Sequence, residues 1–179
     1  MKKDLKLTAN FKLSEFTNHD INDYQLSLLQ NLANELQVVR NRLQEHKSGN
    51  REVSITIISG VRTMEDYKRL LLSGYPSQSS DHFCGLQMNC KPTIGAVDIR
   101  VNNCSMNMKN IALFIRSLVL GYDCSFGQVI YEKNPKTASE WIHLSNDPKL
   151  IFRPNIASSI KRSQFLMSLD NGKTYQDLK

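Results

Sequence analysis

From Asp23 to about Gln44 the apolar residues Leu29, Leu32, Leu36, Val39 and Leu43 recur at steps of three and four. That spacing puts them on one face of a helix and leaves Arg40, Arg42 and Glu45 on the solvated side. His46 to Arg51 follows as a polar, glycine-containing loop. The same period returns in Asn107 to Leu120, where Ile111, Phe114, Ile115, Leu118 and Val119 form the stripe and Gly121 the stop. A shorter helix is predicted from Met64 to about Ser73, capped by Thr63. Val53–Ser59, Ala96–Val101, Phe126–Tyr131 and Trp141–Ser145 are instead β-branched or alternating, which predicts strands. Phe165–Leu169, Asp170-Asn171-Gly172 and Lys173–Tyr175 read as a hairpin with a type I′ turn.

Residues 1–22 read as an irregular arm that packs Phe11, Leu13 and Phe16 onto the body, with Thr17 to Asp20 as a helix-start cluster. Leu86 to Ile94 contains Pro92 and has no period, and Ile156 to Arg162 reads as loop. The element order predicts an α+β fold in which an antiparallel sheet, flanked by helices, carries the functional site. One domain is expected over 1–179, with the arm at 1–22 and a C-terminal hairpin tail from about 150 to 179. There is no internal repeat.

Composition narrows the partners. The chain has 179 residues, enough to bury a core as one domain, and 40% of them are hydrophobic. Net charge is +6 and the isoelectric point about 9.2, which suits an anionic partner, nucleic acid or cell envelope alike. The longest basic cluster is Lys2-Lys3, and no recognition helix or aromatic-basic interleave accompanies it, so nucleic acid is not the expected partner. The four cysteines, Cys84, Cys90, Cys104 and Cys124, form no Cys-x-x-Cys pair and are expected to be reduced thiols that bind no metal. The charged start is followed by no apolar run, so no signal peptide is expected, and no stretch reaches transmembrane length. A monomer is expected.

The candidate chemistry lies in three places. Asp98 sits among Ala96, Val97, Ile99 and Val101, where a carboxylate is costly to bury without compensation. His82 sits in the polar turn Ser79 to Gly85, and His143 in the β-like run from Glu140. Taken alone, His143 is a hydrogen-bonded core histidine and Asp98 a structural carboxylate. Together, two imidazoles and one carboxylate form a usual set for a catalytic zinc with an open fourth position. A rival set of His82, Cys84 and Cys90 lacks a fourth ligand for a closed structural site.

Several of these residues stand in motifs. Phe11-Lys-Leu-Ser-Glu-Phe16, Ser59-Gly-Val-Arg62-Thr63, Ser80-Asp-His82-Phe-Cys-Gly85 with Gly95-Ala-Val-Asp98-Ile, and Glu140-Trp-Ile-His143 together resemble peptidase family M15. These are zinc D,D-carboxypeptidases and L,D-endopeptidases that cut peptidoglycan stem peptides, and the likeness is nearest to small, phage-type members. The resemblance implies a hedgehog/DD-peptidase-like fold and Zn2+ held by His82, Asp98 and His143. It implies Glu140 as general base, Arg62 on the substrate carboxylate or the oxyanion, and Ser80 on the substrate backbone. It further implies action on the bacterial wall by a protein made in the cytoplasm and released at lysis.

Two features depart from that pattern. The family places the aspartate about seven positions after the first histidine, whereas here sixteen separate His82 from Asp98, with Leu86 to Ile94 as the insertion. Residues three apart on a regular strand face opposite sides, so Glu140 and His143 share a site only across an irregularity, and Glu132 is the second candidate base. The alternative function is a zinc-containing binding module of the same fold without peptidase activity.

Overall fold

The computed structural model describes residues 4–74, 81–85, 93–147 and 164–179. Ser80, Cys90, the loop expected at 156–162 and all of the 86–94 insertion except Thr93 and Ile94 lie outside them. The architecture is α+β, with helices packed on a six-stranded mixed sheet.

The arm carries a short helix, α1 (Leu13–Phe16), and buries Leu7, Phe11, Leu13 and Phe16. The long amphipathic stretch is α2 (Asp23–Leu43), whose buried stripe includes Leu29, Leu32, Leu36, Val39 and Leu43. Its cap is Asn22, not the Thr17–Asp20 cluster. Asn22 and Gln25 exchange side-chain-to-backbone bonds at 2.8 and 3.0 Å, while Thr17 closes a local turn by accepting from the His19 N–H. A reciprocal cap of this kind is worth about 1 kcal/mol, and it starts the helix after Ile21.

The strands are β1 (Ser54–Ser59), β2 (Ala96–Asn102), β3 (Phe126–Lys133), β4 (Glu140–Asn146), β5 (Gln164–Ser168) and β6 (Gln176–Asp177). Between them lie α3 (Met64–Leu72), capped by Thr63, and α4 (Met108–Leu120), capped by Asn107. The spatial order is β1-β2-β4-β3-β5-β6.

The sheet is not wholly antiparallel as expected. β5 runs parallel to β3, from Gln128 opposite Gln164 to Glu132 opposite Ser168. The C-terminal hairpin exists, with Leu166 opposite Asp177 and Met167 opposite Gln176, but its connection is longer than a two-residue turn. Asp170 accounts for the difference, because its carboxylate collects the N–H groups of Lys173 and Thr174 and the hydroxyls of Ser168 and Thr174. That wide Asx-type loop displaces β6 beyond Tyr175.

The two faces of the sheet differ. Val97 and Ile99 of β2, Val129 and Tyr131 of β3, and Ile142 and Leu144 of β4 join the main core with the apolar stripes of α2 and α4. The alternate positions, Asp98, Ile130, Glu132, Trp141 and His143, face the other way. On that second face a 3-10 turn, Asp81–Phe83, lies against β2. Phe83 packs edge-on against Tyr67 of α3, ring centroids 5.6 Å apart, and pins the turn in place.

Candidate metal centre

Asp98 and His143 are directly opposite one another in the β2–β4 ladder, so their side chains rise side by side from the second face. His82 arrives from the 3-10 turn above. The His143 Nδ1 lies 2.9 Å from Asp98 Oδ1, the His82 Nε2 lies 3.2 Å from the same oxygen, and the two nitrogens are 3.3 Å apart. Among the described residues this is the one group of three or more His, Cys, Asp or Glu side chains whose donor atoms converge.

Donors on a tetrahedral zinc with bonds of about 2.0–2.1 Å stand about 3.3 Å from one another. The observed triangle is close to that. A second observation concerns the tautomer. His82 Nδ1 lies 2.7 Å from the Gly60 carbonyl oxygen. A carbonyl accepts only, so Nδ1 carries a proton and Nε2 is the nitrogen left facing the cluster, the one a metal would take. The buried His-Asp-His group can therefore bind a metal ion.

The supports of the triangle come from the arm and the turn after β1. The Val61 N–H donates to the Phe16 carbonyl at 2.8 Å, and the Arg62 N–H donates to the His82 carbonyl at 2.9 Å. Gly60 is needed here, because a Cβ would collide with the Phe16 carbonyl. The motif residues Phe16, Gly60 and Arg62 thus act together to fix His82.

Arg62 points inward. Its Nη2 donates to Asp98 Oδ2 at 2.9 Å and its Nε donates to Ser59 Oγ at 3.1 Å. Asp98 is consequently divided, with Oδ1 among the imidazoles and Oδ2 on the guanidinium. Burial alone would raise its carboxyl, but His82 and His143 overcome that and hold it far below the usual carboxylate range. Burial pushes the His82 imidazole down. Burial pulls His143 the same way, but its bond to Asp98 wins and raises it.

The two glutamates fall on different faces. The β3–β4 register runs without interruption from Gln128 opposite Ser145 to Lys133 opposite Glu140. With no bulge between them, Glu140 and His143 point to opposite sides. Glu140 Oε1 pairs with Lys133 Nζ at 3.1 Å and takes a hydrogen bond from the Tyr131 side chain. β4 shows no irregularity between Glu140 and His143 that would bring the Glu140 carboxylate to the His82–Asp98–His143 cluster. Glu132, opposite Trp141, stands on the ligand face. Burial raises its carboxyl above the ordinary value, and its charge is felt by both His143 and Asp98. The Trp141 indole and the Tyr175 hydroxyl both donate to it, the latter at 3.2 Å.

Asp81 was not singled out from the sequence. Its Oδ1 accepts the Ile94 N–H at 3.3 Å, and its carbonyl accepts the Cys84 N–H at 2.9 Å. It therefore clasps the chain where the 86–92 segment leaves and returns, which is how sixteen positions still deliver two ligands to one point. An aspartate just before a histidine motif was the available signal. Cys84 faces the main core, and its Sγ donates to the Gln25 carbonyl at 3.8 Å, so it is no partner of His82 at the cluster.

Comparison with known proteins returned no matching family model, no matching curated protein and no matching solved structure. No described helix is long and apolar enough to cross a membrane.

Proposed function

We propose that the chain is a zinc-dependent peptidase acting on peptidoglycan stem peptides, with a hedgehog/DD-peptidase-like fold and with Glu132 as its general base. The observation that carries this reading is the Glu132 carboxylate on the same face as His143, coupled electrostatically to His143 and Asp98. The choice of stem peptides rests on the motif resemblance.

His82, Asp98 and His143 would hold the zinc, and no fourth side-chain ligand joins them among the described residues, which suits a catalytic site. When bound, the metal supplies Lewis-acid polarisation of a carbonyl and acidification of water. Glu132 takes a proton from the attacking water as its oxygen bonds to the scissile carbon. It then gives that proton to the amine nitrogen as the C–N bond breaks. A carboxylate made more basic by burial takes a proton more readily than an exposed one. Arg62 orients Asp98 and adds positive charge near the developing oxyanion. Ser80, for which the resemblance implies a substrate contact, lies outside the described residues.

Purified peptidoglycan incubated with the zinc-loaded protein, followed by mass analysis of the products, tests the reading. Release of terminal D-alanine or cleavage within the stem is expected. An intact substrate across pH 5 to 9 would leave the non-catalytic metal-binding module in its place.

A further inference from the structure

Glu132 is gripped from two directions, and one grip comes from far along the chain. Trp141 is its cross-strand neighbour on β4. Tyr175 belongs to the connection between β5 and β6, and its hydroxyl donates to Glu132 Oε1 at 3.2 Å. Tyr175 is 47% exposed as a residue, so burial is not the main thing that fixes its position.

The connection is built to present that hydroxyl. Asp170 Oδ1 accepts from Lys173 N at 3.1 Å and from Thr174 N at 2.9 Å, and Thr174 Oγ1 donates to Oδ2 at 2.6 Å. These bonds, with Thr174 contributing most, bring the Asp170 carboxyl down to about 2, so the loop is held throughout the neutral range. Gly172 has a positive φ of 79°. A Cβ there would come 3.1 Å from the Tyr175 hydroxyl and 3.8 Å from Glu132 Oε1. The glycine therefore serves the turn and also leaves the hydroxyl–carboxylate contact uncrowded.

We infer that Tyr175 is a positioning residue for Glu132, so that the β5–β6 connection is part of the peptidase machinery. This rests on the reading of Glu132 as the proton carrier. A carboxylate on a flexible stem that must meet a water and then an amine gains from a donor that fixes one oxygen while the other works. The Tyr175 hydroxyl donates that bond from outside the ligand set, so the metal is held without it.

The test is a cycle of four proteins: parent, Tyr175→Phe, Glu132→Gln and the double variant. Each is measured for zinc content, for kcat and KM on a synthetic stem peptide, and for its thermal midpoint. Tyr175→Phe is expected to keep its zinc and its KM within about twofold, and to lose about tenfold in kcat, the scale of one hydrogen bond to a charged group. In the Glu132→Gln background the same change should cost nothing further.

An active parent, an inactive Glu132→Gln and an unaffected Tyr175→Phe would overturn this inference and leave the peptidase reading intact. Equal losses in both backgrounds would also overturn it. An inactive parent, or a fully active Glu132→Gln, would overturn the role of Glu132 and the inference with it. The midpoints report the contact without turnover, since strictly additive shifts would show that the two side chains are not coupled.

Discussion

Arg62 and Asp98 form a partly buried ion pair, Nη2 to Oδ2 at 2.9 Å, through the carboxylate oxygen other than the one among the imidazoles. Read from the sequence, Arg62 is a substrate-binding residue. In the structure it holds a candidate ligand, and the two roles differ in what they predict for the metal.

Arg62→Ala should weaken zinc affinity by about 10- to 100-fold, the usual cost of removing a group that orients a ligand. Competition with a chelating dye measures it. Unchanged affinity together with a raised KM would return Arg62 to substrate binding alone.

The two glutamates can be separated by turnover. Glu132→Gln should reduce kcat by ~10²–10⁴-fold with zinc retained, since the amide keeps the size and loses the proton transfer. Glu140→Gln should leave kcat near the parent, because its neighbours are Lys133 and Tyr131 on the helix-packed side. The opposite result, loss in Glu140→Gln alone, would mean that β4 is bulged in the active enzyme.

Acid should act on the zinc-free protein through Asp98. Its folded carboxyl lies below the ordinary value, so the unfolded chain binds the proton more readily and stability rises with pH across this window. The contribution is present above about 3.9, the unfolded value, and is lost as pH falls toward the folded one. Denaturant midpoints measured from pH 5 down to pH 2 should therefore fall less steeply in Asp98→Asn than in the parent. Equal slopes would mean that Asp98 is not held ionised.

Thiol chemistry offers a separate check. Burial is the chief cause that pushes both Cys84 and Cys124 up to about 12, so neither should react with a disulfide reagent in the native protein at pH 8. Among the described cysteines, Cys104 is partly exposed and should react first. After unfolding without reductant, all four cysteines of the sequence should titrate. A count of two would reveal a disulfide.

The helices and most strands were legible because each declares itself locally. The stripe of α2 and the alternation of β2 are properties of a single window of sequence. The parallel pairing of β3 with β5 was not legible, since it is a choice between sheet edges that no window contains. The candidate ligands His82, Asp98 and His143 could be read as a set from their residue types and motif positions, and the β2–β4 register explains why two of them meet. The proposed base was harder. Three-residue spacing warned against Glu140, yet only the continuous register from Gln128 to Lys133 decides its face. Tyr175 was out of reach, because it meets Glu132 across a chain distance at which sequence carries no geometric signal.

The clasp between Asp81 and the Ile94 N–H makes the chain behave there like a socket. Whatever spans residues 86–92 is attached at a closed base, and doubling its length would cost only about 0.6 kcal/mol in closure entropy. His82 and Asp98 are set by Gly60, Arg62 and the sheet, not by that span. A foreign peptide spliced between Gly85 and Thr93 would therefore be joined at anchored ends, while the face that carries His82, Asp98 and His143 keeps its own supports.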